Sequence, residues 1–342
     1  MKLKISFFKQ WDAILLILLA AEILCFGLIN ESFLNIKNLL YSTNDFMHIM
    51  LVSLPLTLVI ITGGIDVSIG SIMGLASIIF GVLWKFLVFP LWLSFVVSLG
   101  VGLLAGFING LLVAYTDINS LVLTLGTMFL FQGLATGLAG SIGASGYNGI
   151  GGFPESFTNI AYGACGAVPY AFIFVILLGF LIFLLLNRTP LGRSLYLIGV
   201  NKNAAIFSGI KVKRVIISSF IFTGLGSALA GIFLTAYFTS SRSDLGKDVL
   251  MPALTSVVFG GTSITGGAGA VSGTFIAALF LGYLKQGLMA IGVTSDVSQV
   301  TVGIILIATV IIKGIATQSL LNRMNRLAFK KATVLVNEHH GN

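Results

Sequence analysis

Residues 55–70 read Pro55-Leu56-Thr57-Leu58-Val59-Ile60-Ile61-Thr62-Gly63-Gly64-Ile65-Asp66-Val67-Ser68-Ile69-Gly70. An apolar run is cut short by paired glycines and a carboxylate. The pattern returns later in the chain. Pro252, Gly260, Gly261 and Gly267 follow Pro55, Gly63, Gly64 and Gly70 at one constant spacing, which places Thr265 opposite Ser68. Short, Pro/Gly-interrupted apolar segments in corresponding halves of a chain point to a transport pathway. Broken backbone inside a bilayer is tolerated only where protein or a wet cavity satisfies its polar groups. The competing reading is close helix packing in a chain with 41 glycines, and it stays open. The candidates for a pathway or structural break are Gly63, Gly64, Asp66, Ser68, Gly260 and Gly261. Asp66 and Ser68 are placed to cap a helix that begins near Ile69, with Asp66 facing its positive end. A proton or ion site is the other use of Asp66.

Outward from this stretch, the composition fixes the solvent. Of 342 residues, 57% are hydrophobic and 9% charged, whereas a soluble domain carries about 25% charged residues. Such a chain cannot cover a surface in water with polar groups, and it is too apolar to be disordered. The net charge of +8 is dispersed along the chain, which argues against nucleic-acid binding. Ten apolar runs lie near 11–29, 47–62, 68–84, 90–114, 120–139, 169–187, 215–238, 250–260, 271–291 and 298–315. A crossing takes about 20 residues, so 250–260 is too short to cross as a plain helix. The first run lacks a small-residue cleavage site and reads as a retained helix rather than a signal peptide. The expected fold is all-α: one polytopic helical bundle over residues 1–342, with about ten transmembrane helices and no room for a soluble domain.

Orientation follows the Lys and Arg bias. Lys2, Lys4 and Lys9 precede the first run. The stretch 188–214 holds Arg188, Arg193, Lys202, Lys211, Lys213 and Arg214, and the tail holds Arg323, Arg326, Lys330 and Lys331. The alternate segments hold Lys37, Lys85, Arg242 and Lys247, and 141–168 has no Lys or Arg. Ten crossings with both termini cytoplasmic satisfy this distribution. The tail from about 316 to 342 is then basic and cytoplasmic.

Catalytic machinery is not legible. His48, His339 and His340 form no metal-ligand spacing, and there is no nucleophile elbow, zinc-protease or P-loop motif. No cofactor is expected, and any ATP is bound by another chain. Cys25 and Cys165 do not make a disulfide framework; two unpaired thiols are the favoured reading over a pair. Glu22 lies mid-run, where an ionisable residue is a functional candidate by default; a neutral or hydrogen-bonded structural carboxyl is the equal alternative. Lys285 reads as a snorkelling side chain. In the loop 188–214, Asn201 or Asn203 is placed to cap a short helix over Ala204–Ser208, and Gly209 to stop it. Such a helix suits a cleft on a soluble partner; an ordinary basic loop is the alternative.

Three separated motifs carry a resemblance. Gly63-Gly64-Ile65-Asp66-Val67-Ser68-Ile69-Gly70-Ser71, the loop Gly199-x-Asn201-x-x-Ala204-Ala205-x-x-Ser208-Gly209-Ile210, and Val257-Val258-Phe259-Gly260-Gly261-Thr262-Ser263-Ile264 resemble, in this order, the ribose-type branch of bacterial ATP-binding cassette (ABC) import permeases. Ser42–Phe46, Leu54–Thr57, Gly146–Pro154 and Ser241–Gly246 extend the likeness toward the autoinducer-2 importers of that branch, with Asn148 and Lys247 as departures. The resemblance implies a bacterial inner-membrane permease that pairs with a second, homologous permease. Two ATP-binding subunits would sit beneath, and a periplasmic binding protein would deliver autoinducer-2, a cyclised pentose-derived signal. Asn201, Ala204, Ala205, Ser208 and Gly209 would then couple the permease to the ATPase. Glu155, Arg242 and Asp244 are the outer charges available to the binding protein, where rim charges act mainly on encounter. Ribose or another pentose is the rival cargo. An ion-coupled transporter working through Glu22, Asp66 or Lys285 is the rival mechanism.

Overall fold

The computed structural model describes residues 2–116, 118–144 and 149–311. The basic tail from 316 onward and the motif residues Gly146, Tyr147 and Asn148 lie outside them. The chain is a helical bundle: α1 (Lys2–Ile29), α2 (Ile36–Ser42), α3 (Met47–Ile61), α4 (Ile69–Lys85), α5 (Leu91–Tyr115), α6 (Ser120–Ser141), α7 (Glu155–Tyr162), α8 (Tyr170–Arg188), α9 (Pro190–Val200), α10 (Lys202–Phe207), α11 (Val212–Tyr237), α12 (Leu250–Phe259), α13 (Val271–Ala290) and α14 (Ser295–Ile311). Two short strand pairs join loops: β1 (Ile150–Gly151) with β4 (Ser240–Ser241), and β2 (Ala164–Cys165) with β3 (Val168–Pro169).

Every apolar run read from the sequence is helical over its described residues, which for the last run end at Ile311. Among the described residues six helices are long and apolar enough to cross a membrane: α1 from Trp11, α5, α6, α8, α11 and α13. A seventh candidate is the pair Ile36–Asp45 and Met47–Ile61, bent by 69°. The helices α4, α12 and α14 are shorter, so length alone supports six or seven crossings rather than ten.

The helix ends follow their residues. Asn35, Asn119, Thr189 and Asn201 each accept a first-turn N–H through the side chain, and Pro190 occupies a first-turn position of α9, where its missing donor is not needed.

The centre of the bundle is α11, packed on α5, α3 and α4. The contact with α5 is backbone against backbone. A Cβ placed on Gly106 would overlap the Phe220 carbonyl, and one placed on Gly224 would overlap the Gly102 carbonyl. In a lipid solvent, apolar side chains gain little by meeting each other, so close van der Waals contact between small residues drives association. Pro55, inside α3, leaves the Leu51 carbonyl without its helical donor. Gly226 of α11 covers that spot, and the Thr223 hydroxyl donates to the Pro55 carbonyl at 3.3 Å.

Glycine is not needed everywhere. Gly126, Gly133, Gly137 and Gly140 of α6 have nothing within 4 Å of an added Cβ. We therefore expect Gly224→Val to destabilise the folded chain by about 1–3 kcal/mol through overpacking. Gly133→Ala will be silent or slightly stabilising. Thermal unfolding of the two purified variants, read by loss of monodisperse protein, checks the contrast.

Candidate functional site

The two Gly-rich breaks share one construction. At the end of α3 the Gly63 N–H donates to the Ile60 carbonyl at 2.9 Å and the Gly64 N–H to Val59 at 3.2 Å. At the end of α12 the Gly261 N–H donates to Val258 at 3.1 Å and the Thr262 N–H to Val257 at 3.2 Å. Both are Schellman ends, and both place a glycine at positive φ in the C′ position: Gly63 at +83° and Gly261 at +103°. Geometry thus pairs Gly63 with Gly261, one residue off the sequence alignment, which set Gly63 against Gly260. The shift arises because Thr62 holds the C-cap position in one break and Gly260 holds it in the other.

The breaks also meet in space. The Gly267 N–H donates to the Ile61 carbonyl at 2.8 Å, and an added Cβ on Gly63 would stand 3.5 Å from the Thr265 carbonyl. A third backbone enters between them. Gly199, near the end of α9, lies so close that a Cβ would overlap the Ile61 carbonyl and the Gly267 nitrogen. Tyr196 of α9 fixes the same crossing by donating to the Gly269 carbonyl at 2.8 Å. The segment leading into α10 is therefore bolted to both breaks. A cavity of about 230 Å³ opens beside the junction, with Gly63 and Gly64 on one wall and Ile198 and Lys202 on another.

α10 forms as the sequence reading expects. The Asn201 side chain accepts the Ala204 N–H at 3.0 Å. Gly209, at φ +78°, ends the helix through Gly209 N–H to Ile206 and Ile210 N–H to Ala205. The presented face differs from the expectation. Ala205 is 2% exposed and faces the bundle, whereas Phe207 is 92% exposed and Ile206 half exposed. Six residues make fewer than two turns, so one alanine must point inward. The exposed aromatic carries no local signal in the sequence. Asn201, Ala204, Ser208 and Gly209 are exposed.

Asp66 and Ser68 sit in the first break and are fully buried. Ser68 is the N-cap of α4 by position but makes no side-chain cap, contrary to expectation. Its hydroxyl donates to Asp66 Oδ1 at 2.6 Å, and its N–H donates to the same oxygen at 3.0 Å. Asn109 Nδ2 of α5 donates to the Ser68 hydroxyl at 2.7 Å. The neighbouring Ile65 and Val67 N–H groups donate to Ser120 and Thr124 of α6 at 3.0 and 3.1 Å. The break is thus tied to α5 and α6 by side chains. The second break has a different tie: α1 supplies Trp11, whose Nε1 donates to the Phe259 carbonyl at 2.9 Å, and Asp12, which accepts from Ser272 at 2.7 Å.

In the loop after α11, which lies along α4, Arg242 and Asp244 form a bidentate ion pair with each other at 2.9 and 2.6 Å. The Arg242 hydrogen bond holds the Asp244 carboxyl below its ordinary value. They are therefore a joined pair rather than two separate charges. Glu155 is exposed in the first turn of α7. Glu22 is buried against α13, and neither carboxyl oxygen has a hydrogen-bond partner. Cys25 and Cys165 are both free and exposed.

Residues 38–310 match the family model described as the permease component of the branched-chain amino acid transport system. The autoinducer 2 import system permease protein LsrD of Klebsiella pneumoniae subsp. pneumoniae is 46% identical, over 91% of this chain and 92% of its own. The proteins of that name from Salmonella typhimurium and Escherichia coli O157:H7 are also 46% identical, each over 88% of this chain and 91% of its own. No solved structure matches.

Gly199→Ala forces a methyl group into two backbones. We expect uptake to fall at least about tenfold while membrane insertion is retained. Gly209→Ala meets open space and carries only the left-handed strain of about 1–2 kcal/mol. Parallel uptake and membrane-fraction immunoblots of both variants check this order.

Proposed function

Because the chain belongs to the permease-component family of the branched-chain amino acid transport system, we propose that it is one permease of an ABC importer that carries autoinducer-2 across the bacterial inner membrane. The single observation behind the cargo is the likeness to the LsrD proteins, 46% identity over about nine-tenths of both chains. The family description names branched-chain amino acids, so the family alone leaves the cargo open. The chain is a transport component and not an enzyme.

In this reading residues 1–342 form one permease unit with both termini cytoplasmic, and all ten apolar helices contribute to crossings. α12 is short because it ends in a break, and the bonds between the two breaks supply the partners that its unpaired backbone needs in lipid. The loop 188–214 then lies on the cytoplasmic face and α7 with β1 and β4 on the periplasmic face. A second, homologous permease, two ATP-binding subunits and a periplasmic binding protein complete the complex. ATP is bound by the partner subunits, and this chain needs no cofactor.

α10 is the coupling element. Phe207 and Ile206 supply its apolar contact, Asn201, Ser208 and Gly209 shape it, and Ala204 leaves room for the partner. Closure of the ATPases pushes on α10, and Gly199 passes the displacement to both breaks. The energy of ATP biases direction because the two states differ in their contacts. Glu155 and the Arg242–Asp244 pair mark the face for the binding protein.

Two outcomes test this. Phe207→Asp and Ala204→Glu should each uncouple the complex, so that ATP hydrolysis no longer responds to the loaded binding protein. Wild-type coupling in both would remove α10 from the interface. In the reconstituted complex, autoinducer-2 on the binding protein should stimulate hydrolysis and uptake, and ribose should not. Stimulation by ribose alone would keep the mechanism and overturn the cargo. Uptake without any ATPase subunit would reject the importer reading.

A further inference from the structure

The Asp66 cluster contains two unmet oxygens. Asp66 is fully buried and Asn109 is 1% exposed. Asp66 Oδ1 accepts twice from Ser68, but Asp66 Oδ2 has no donor. Asn109 Nδ2 donates to the Ser68 hydroxyl, but Asn109 Oδ1 has no donor. Asp66 Oδ1 and Asn109 Nδ2 both bond the same Ser68 hydroxyl, at 2.6 and 2.7 Å, so the two unmet oxygens sit on side chains joined through one atom. Two acceptors with no donor, on neighbouring side chains, lack one shared hydrogen.

We infer that Asp66 is a carboxylic acid in the folded permease, whose Oδ2–H donates to Asn109 Oδ1. One proton then completes the ring: Asp66 donates to Asn109, Asn109 donates to Ser68, and Ser68 donates back to Asp66. Every member is satisfied, and such closed networks are the ones that hold in a low-dielectric interior. Turning the Asn109 amide end for end would also meet both atoms, with Asp66 ionised. That arrangement leaves a full charge buried without a counter-ion, which is the costlier state. The side chains bonded to residues 65–68 of the break are Ser71 at the start of α4, Asn109 of α5, and Ser120 and Thr124 of α6. None carries a charge. Lys202 lines the cavity beside Gly64 and Ser120 and makes no hydrogen bond to the cluster among the described residues.

The consequence is mechanical. The ring joins the first break to α5 without separated charges, so the break can shift against α5 by exchanging neutral hydrogen bonds. Asp66 is a positioning residue here and touches no cargo. The inference does not depend on the identity of the cargo.

The test is infrared spectroscopy of the intact importer at neutral pH, with aspartate carrying a heavy-carbon label. We expect a protonated carboxylic C=O band that shifts with the label and in deuterium oxide, and that disappears in Asp66→Asn. Asn109→Leu should keep the band but move it to higher frequency, because the acceptor is gone. Asp66→Asn preserves a neutral donor at Oδ2 and should keep uptake within about twofold, whereas Asp66→Ala should lose about tenfold or more. A wild-type spectrum with only ionised aspartate overturns the inference, whatever the variants do. Loss of uptake in Asp66→Asn equal to that in Asp66→Ala, with the chain still inserted, also overturns it. Failure with respect to cargo would leave the band unchanged, so the two proposals fail separately.

Discussion

The Ile61 carbonyl is the point on which the functional end of the molecule depends. It is one of the last four carbonyls of α3, which the helix itself cannot satisfy. The two nearest glycine N–H groups are already committed to closing the Schellman turn at Ile60 and Val59. Its donor is the Gly267 N–H, from the other break. A helix end that lipid cannot hydrate is thus completed by its counterpart from the second half of the chain. Gly199 has to be glycine for a related reason: any side chain would wedge this bond apart. The connection between α10 and the two breaks is therefore direct and made of backbone.

The rest of the bundle is arranged so that this junction has something rigid to move against. α11 contacts α5 through carbonyls and glycine carbons, and it fills the gap that Pro55 leaves in α3. Such packing has little slack, because interiors accommodate volume changes poorly. The polar ties differ on the two sides. The first break is held by Asp66, Ser68, Asn109, Ser120 and Thr124 from within α4, α5 and α6. The second is held by Trp11 and Asp12 from α1. The pseudo-repeat is real at the helix ends and absent from what surrounds them.

Much of this was legible before any coordinates. Apolar runs gave the helices, since a hydrophobic stretch in lipid has few other ways to satisfy its backbone. Asn201 and Gly209 announced α10, because capping is local chemistry. Sequence failed where the deciding partner is distant. Gly199 looks no different from Gly133, yet one touches two backbones and the other faces open space. Asp66 reads as a cap because Ile69 follows it, but Asn109, far along the chain, draws Ser68 away from the helix. Arg242 and Asp244 read as separate outer charges until the loop folds one onto the other. The alignment of the two Gly-Gly pairs failed by one residue because letters were matched, whereas the turn needs a positive φ at a fixed distance from the last helical residue.

The same contrast explains why mechanism is easier to read here than cargo. A coupling path must be continuous, so it leaves short backbone approaches and satisfied helix ends that a single chain displays in full. In the proposed pair of permeases, a cargo site between the two chains would be only half present in one of them. The fully buried side chains along the first break, Asp66, Ser68 and Thr124, bond to groups of their own chain. Selection of the ligand would, in that assembly, fall to surfaces shared between chains. For that reason likeness over about nine-tenths of both chains weighs more for cargo than the breaks alone, which the proposed construction needs whatever it carries.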